Sequence, residues 1–403
     1  MTDRARPPVD LYQVLDLRVG EVVHGGWCVA RLVETGNFVV FVRHALPGER
    51  VRAVVTQLTS KFARADAVEI TEPAPERVRP PCPYARPGGC GGCDWQHASL
   101  DAQRRFKAAV ISQQLRRIAG IDREVTVQAL PGDQDGLGWR TRVRFAVAKD
   151  GQAGFRKHRS TEVVPVGDCL IAHPLVTQAE VTRRSWPGVR SVEVAVAPGS
   201  GERVVVTDNR QQPQFLVQHA AGRDWRVTST GFWQVHPAAA DTLVTAVLAG
   251  LAPKPGETAL DLFCGAGLFA GALADAVGPD GKVVAVEQDQ DAVRDARRNL
   301  RDTPWARVHR GDAAELVGRY GLSGASIAVV DPPRAGLTQP LIDALGDGSG
   351  LRRLAYVSCD PATLARDLAA LGRHGWDLAA LLAYDAFPMT HHVECLALIE
   401  PAG

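Results

Sequence analysis

The chain has 403 residues, 45% of them hydrophobic and 23% charged, with a formal net charge of +1. These values exclude a disordered or fibrous chain and leave room for two or three packed domains. Eight cysteines are too few for a disulfide scaffold, no apolar run is long enough to span a bilayer, and the first residues, MTDRARPPVD, lack the core of a secretory signal. The expected compartment is the cytoplasm. The charge is uneven: residues 1–90 carry +2, 91–225 carry +5 and 226–403 carry −6. Positive charge in the first two thirds suits a polyanion, and the acidic last third suits a catalytic body.

Short strands are expected at 17–23, 28–32, 37–42, 50–58 and 67–69, separated by turn signals at Gly25-Gly26, Glu34-Thr35-Gly36 and Pro47-Gly48. That spacing predicts a small closed barrel over 11–72. The pattern resembles the TRAM domain, an OB-like barrel, and the resemblance implies RNA binding.

A linker over 71–81 leads to Cys82-Pro-Tyr-Ala-Arg-Pro-Gly-Gly-Cys90-Gly-Gly-Cys93. Three thiols on a loop too rich in Gly and Pro for a regular element point to a metal or cluster site, with Cys169 the candidate fourth ligand. Structural zinc would accept the same thiolates, so the pattern alone leaves both open. The loop is similar to the [4Fe-4S] site of TRAM-containing uracil-5 RNA methyltransferases, which implies that cluster on Cys82, Cys90, Cys93 and Cys169. The seven residues between Cys82 and Cys90 make a longer loop than that family usually has.

A helix is expected over 101–119, with Arg104, Arg105, Lys107, Arg116 and Arg117 on a solvated basic face. Next, Arg140, Arg142 and Arg144 alternate along one strand, and the return strand adds Arg156. Like charges on one strand face repel, and an RNA phosphate backbone would relieve that repulsion. These elements define a central α+β domain over 73–225, in which the helical stretch 95–120 is expected to pack with the catalytic domain.

From 226 onward, strands and helices alternate in the rhythm of a doubly wound parallel sheet: strands at 258–262, 283–287, 307–309, 327–330, 354–357 and 395–399. Asp261-Leu-Phe-Cys-Gly265-Ala-Gly267 forms the first strand-to-helix turn, where glycines let a ligand approach the backbone. Glu287 ends the next strand, placed to accept ribose hydroxyls, and Asp312 follows the third. This loop alone also fits NAD, so an oxidoreductase is the competing reading. Two further strand ends carry a carboxylate, Asp331-Pro-Pro-Arg334, and a thiol, Ser358-Cys359-Asp360-Pro361. Together these motifs resemble the S-adenosylmethionine-binding motifs of class I methyltransferases.

In order, the chain is similar to the cluster-bearing RNA 5-methyluridine methyltransferases that act on 23S rRNA. The resemblance rests on Phe-Trp-Gln234-Val, the Asp261–Gly267 loop, Asp331-Pro-Pro-Arg, Ser-Cys359-Asp-Pro and His391-His-Val-Glu394. It implies Cys359 as nucleophile, Glu394 as base, and Gln234, Phe263, Gly265, Gly267, Glu287, Asp312 and Asp331 around the methyl donor and the uracil. Leu268 departs from the family, which often has Asn there. The implied reaction is methylation of uracil C5 through a Cys–C6 adduct. Thiolate addition is needed because C5 alone is too weak a nucleophile. A tRNA substrate and a non-catalytic RNA-binding protein are the alternatives, and a monomer without membrane contact is expected.

Overall fold

The computed structural model describes residues 7–33, 37–209, 214–320, 324–346 and 350–403. The turn expected at Glu34-Thr35-Gly36 lies outside the described residues. Six strands, Val14–Arg18, Val22–Val23, Trp27–Leu32, Phe38–Arg43, Arg50–Leu58 and Phe62–Glu72, make the first sheet. Backbone bonds of Gly20 to Val29 and of Val29 to Glu21, at 2.7 and 2.9 Å, carry its first edge round onto Trp27–Leu32. Val51, Ala53 and Val55 alternate inward on one long strand, and Ala63, Ala65 and Ala67 on its partner. That last strand is longer than the expected 67–69 because its inward residues are alanines, which give a weak strand signal. Trp95, Ala102 and Val110 from beyond the linker complete the barrel core.

The central segment holds a five-stranded antiparallel sheet in the order Val163–Pro165, Ala153–Arg156, Arg142–Val147, Ser191–Ala197 and Glu202–Thr207. A hairpin, Phe215–Ala220 with Arg223–Thr228, follows. The boundary expected at 225/226 falls within the second strand of this hairpin. Trp225 is fully buried in the catalytic core, and Asp295 accepts a bond from the Thr228 amide at 2.7 Å.

The catalytic sheet has eight strands in the order Ala306–Arg310, Lys282–Glu287, Thr258–Leu262, Ile327–Val330, Arg353–Ser358, Glu394–Pro401, Trp376–Asp385 and Val127–Ala129. The first five are mutually parallel; Glu394–Pro401 runs antiparallel between its neighbours. Helices Ala239–Leu251 and Leu268–Val277 bury one face. Gln339–Gly346 and Pro361–Gly372 bury the other. Strand order reverses between Thr258–Leu262 and Ile327–Val330, which opens a crevice at their carboxyl ends.

The expected basic helix is Leu100–Gln114, continued by a wider π turn, Leu115–Ala119. It packs against the barrel through Ala102 and Val110 and against the catalytic domain through Ile111 and Leu115. Lys107 does not belong to the solvated face. It is fully buried and pairs with Asp385, also fully buried, at the end of Trp376–Asp385. No described helix is long and apolar enough to cross a membrane.

Candidate active site at the strand ends

Strand register brings the two candidate reactive groups together. Ser358 pairs with Cys395 across the antiparallel ladder, so the next step of that register sets Cys359 opposite Glu394. Asp331 follows the adjacent strand, with its amide donating to Leu262 O at 3.3 Å. The loop it opens is bound to the helix beyond Cys359. Thr363 donates to Arg334 O at 3.0 Å, and the buried Asp367 accepts from the Leu337 amide at 2.8 Å and from the Tyr356 hydroxyl at 2.6 Å.

The site is crowded with acids. Burial, then the neighbouring Glu394 carboxyl, pushes the Cys359 thiol up to about 11, against the pull of Arg334. Burial and Asp331 hold Glu394 well above the usual carboxylate range, and burial raises Asp331 to about 7. The free site therefore keeps its thiol protonated near neutral pH, and burial favours the neutral form of Glu394. Among the described residues no backbone donor bonds the Cys359 sulfur, and the Arg334 guanidinium favours its ionisation. Arg334 was legible within Asp331-Pro-Pro-Arg, but sequence reasoning gave it no role. It also approaches His392, at 3.3 Å.

The cofactor loop has the backbone that its sequence demands. Phe263, Gly265 and Gly267 have φ of 71°, 52° and 94°, and a non-glycine residue in that region marks a site under constraint. Gly265 faces open space, whereas a Cβ on Gly267 would press on Leu300 and Ala296. Gly267 begins helix Leu268–Val277 with no side-chain cap, so the first amides stay free to meet a ligand. Glu287 accepts from the Gly265 amide at 2.9 Å and from Gln288 and Asp289. Asp312 caps the next helix through the Glu315 amide at 3.0 Å. Gln234 is buried, and Leu268 packs as an apolar residue. Asp261, wholly buried beneath this loop, has only the Ala270 amide near it, outside good hydrogen-bond geometry, and burial raises it to about 8 against that weak pull.

Cys82, Cys90, Cys93 and Cys169 line one small cavity, with Arg140 in its wall. Gln96 donates to the Cys93 sulfur at 3.1 Å and the Gly92 amide to Cys90 at 3.4 Å. Donors aimed at sulfur and a nearby guanidinium fit an anionic thiolate site. Among the described residues, no three His, Cys, Asp or Glu side chains stand as ligands for a single ion.

The arginines divide. Arg144 and Arg156 are exposed. Arg142 turns inward under the loop before the catalytic domain and donates to Ser229 O at 2.8 Å and to Gly231 O; burial lowers it to about 10. Arg140 precedes the strand, donates to Arg142 O and faces the thiols. One row of three projecting guanidiniums is thus corrected to a single exposed position on that strand, because Ser229 and Gly231 cover the other end.

A reversing parallel sheet with a glycine turn, an acidic second strand end and a thiol facing a carboxyl defines an S-adenosylmethionine-dependent methyltransferase. Family models match over 10–68 (TRAM domain), 253–317 (Methyltransferase domain) and 319–401 (tRNA (Uracil-5-)-methyltransferase). An uncharacterized RNA methyltransferase of Streptomyces avermitilis is 46% identical, covering 96% of this chain and 98% of the relative. The 23S rRNA (uracil(1939)-C(5))-methyltransferase RlmD of a Shewanella species is 31% identical over 90% of this chain and 91% of its own. The chain belongs to the RNA (uracil-5-)methyltransferase family, and the NAD and non-catalytic alternatives fall away. The fold also matches the Pyrococcus abyssi tRNA (uracil-54, C5)-methyltransferase bound to S-adenosyl-L-homocysteine. The TM-score is 0.70 and the identity 23%, with 95% of this chain and 99% of that one covered.

Proposed function

We propose that this enzyme methylates C5 of a uridine in 23S rRNA through a covalent bond from Cys359 to C6. What supports the mechanism is the Ser358–Cys395 pair, whose continuation would set Cys359 opposite Glu394, and the closeness of Glu394, Asp331 and Arg334 to the thiol that their effect on its ionisation implies. The rRNA assignment leans on the RlmD relative, since likeness to the tRNA enzyme at 23% identity speaks for fold alone.

Phe263, Gly265, Gly267, Glu287 and the free helix amides would hold S-adenosylmethionine, with Gln234, Asp312 and Asp331 around it. When bound, it supplies an electrophilic methyl group. The Cys359 thiolate adds to C6, forming the S–C6 bond and moving the C5–C6 electron pair toward the C4 carbonyl, which makes C5 nucleophilic. After C5 has gained its methyl, Glu394 in its ionised form takes the C5 proton. The freed pair restores the C5–C6 double bond and the thiolate leaves. In the free enzyme burial favours the neutral thiol and the neutral carboxyl, so both must ionise for this sequence of steps. The uridine must be single-stranded or flipped to reach a thiol at this depth.

A groove of about 520 Å³ between barrel, thiol loop and hairpin supports an RNA path. It is lined by Trp27, Arg64, Arg86, Lys157 and Arg159, and Arg64 lies over the Trp27 ring at 5.4 Å. Arg144 and Arg156 extend the exposed basic surface.

The discriminating experiment is denaturing gel electrophoresis of Glu394→Gln with labelled RNA and donor. An amide is a far poorer proton acceptor, so methylated RNA should stay attached to the protein. Normal turnover with no adduct would remove Glu394 from this role, and a Cys359→Ala enzyme that still methylates would remove Cys359.

For the four thiols we propose a structural [4Fe-4S] cluster. Iron and acid-labile sulfide should accompany protein purified without oxygen, and zinc alone would overturn this.

A further inference from the structure

The barrel touches the catalytic loops directly. His24 sits on the turn between Val22–Val23 and Trp27–Leu32, and its Nε2 lies 3.2 Å from Asp360 Oδ2. Asp360 is the residue after Cys359. Its other oxygen accepts the Ala362 and Thr363 amides at 3.0 and 2.9 Å, capping helix Pro361–Gly372. Two residues past His24, Gly26 has φ of 80°, and a Cβ there would lie 3.1 Å from Asp94 and His391. The barrel backbone thus rests on the segment that leads into Glu394. From the end of strand Phe38–Arg43, Arg43 pairs with Asp94 at 3.3 Å. The second Asp94 oxygen meets the His391 amide at 3.1 Å and Nδ1 at 2.6 Å.

An anchored carboxylate beside a nucleophilic thiol has two consequences. Its rotamer fixes the turn from strand to helix on which Cys359 is carried. Its negative charge opposes ionisation of the thiol, so a donor that shares this charge favours the thiolate. Burial acts to raise the Asp360 carboxyl, but the His24 and Thr363 bonds outweigh it and hold the group well below the usual range. Asp360 is therefore charged at neutral pH, and beyond the donors of its own helix start it takes a side-chain donor from another domain.

We propose that His24 is a positioning residue for methyl transfer: through Asp360 it sets the Cys359 turn, so that the barrel completes the active site as well as binding RNA. This rests on the reading of Cys359 as nucleophile. His24 is 37% exposed on a turn, so replacing it leaves the core intact.

The test compares His24→Ala with His24→Gln, whose amide offers an N–H at similar reach. Single-turnover methylation at saturating RNA and filter-binding affinity for the same RNA are measured in parallel. A hydrogen bond to a charged group is worth enough to slow the Ala variant at least about tenfold. RNA affinity should change less than about twofold, and Gln should restore most of the rate. A wild-type rate in His24→Ala overturns the proposal. So does a loss confined to RNA affinity, or a Gln variant as slow as Ala. Cys359→Ala runs alongside: if it is inactive while His24→Ala is normal, only this proposal falls, and if it methylates, the nucleophile reading falls and takes this one with it.

Discussion

Replacing Lys107 with Met should destabilise the catalytic half of the chain and loosen the loop that leads into Glu394. Lys107 Nζ pairs with Asp385 and donates to Phe387 O at 3.0 Å, with both charged side chains removed from solvent. Burial drives the Lys107 ammonium below its ordinary range, and only Asp385 and more distant carboxylates pull it back. Taking two charges out of water costs about as much as their attraction returns, so the intact pair adds little net stability. Removing one partner leaves the other charge buried alone, which costs about 3–5 kcal/mol. A cooperative unit the size of the catalytic half shifts by about 2–4 °C per kcal/mol, so the melting transition should fall by roughly 6–20 °C. The assay is thermal melting of Lys107→Met, Asp385→Leu and the double variant. The double variant should recover most of the loss, because an apolar pair of similar volume fills the same space. Additive losses, or a single-variant shift under about 2 °C, would refute the reasoning.

Three other outcomes follow from the charges. Arg144→Ala and Arg156→Ala should each weaken RNA binding and reduce the steepness of its salt dependence by about one unit, measured by filter binding across ionic strength. Arg142→Ala should leave that slope unchanged and lower the melting temperature, since its donors face Ser229 and Gly231 inside the protein. Iodoacetamide labelling of Cys359 in the free enzyme should still climb about tenfold per pH unit beyond pH 9, because the folded thiol is pushed to about 11 and the thiolate is the reactive form. A labelling midpoint near the free-thiol value of about 8.5 would contradict the crowding of Cys359 by Glu394 and Asp331.

The parts of this site that were legible in the sequence are those fixed by neighbours along the chain. Ile327–Val330 and Leu354–Val357 are apolar runs because parallel strands are buried on both faces, so the Asp-Pro turns after them announced Asp331 and Cys359 as strand-end groups. Glu394 came only from family resemblance, since its place opposite Cys359 depends on strand Glu394–Pro401 inserting beside Arg353–Ser358. The neighbouring strand Trp376–Asp385 escaped notice because Ala-Ala-Leu-Leu-Ala lacks period-two alternation. Lys107 was read as solvated for the same reason that Arg142 was read as RNA-facing: local periodicity assigns a side chain to a face and says nothing of what later covers that face. The cover arrives from Asp385 in the first case and from Ser229 and Gly231 in the second. His24 is the extreme instance, a turn histidine with no local motif whose meaning comes from Asp360 in a different domain. Residues that perform chemistry follow the strand ends, whereas residues that position them follow contacts between domains, and only the former leave a pattern along the chain.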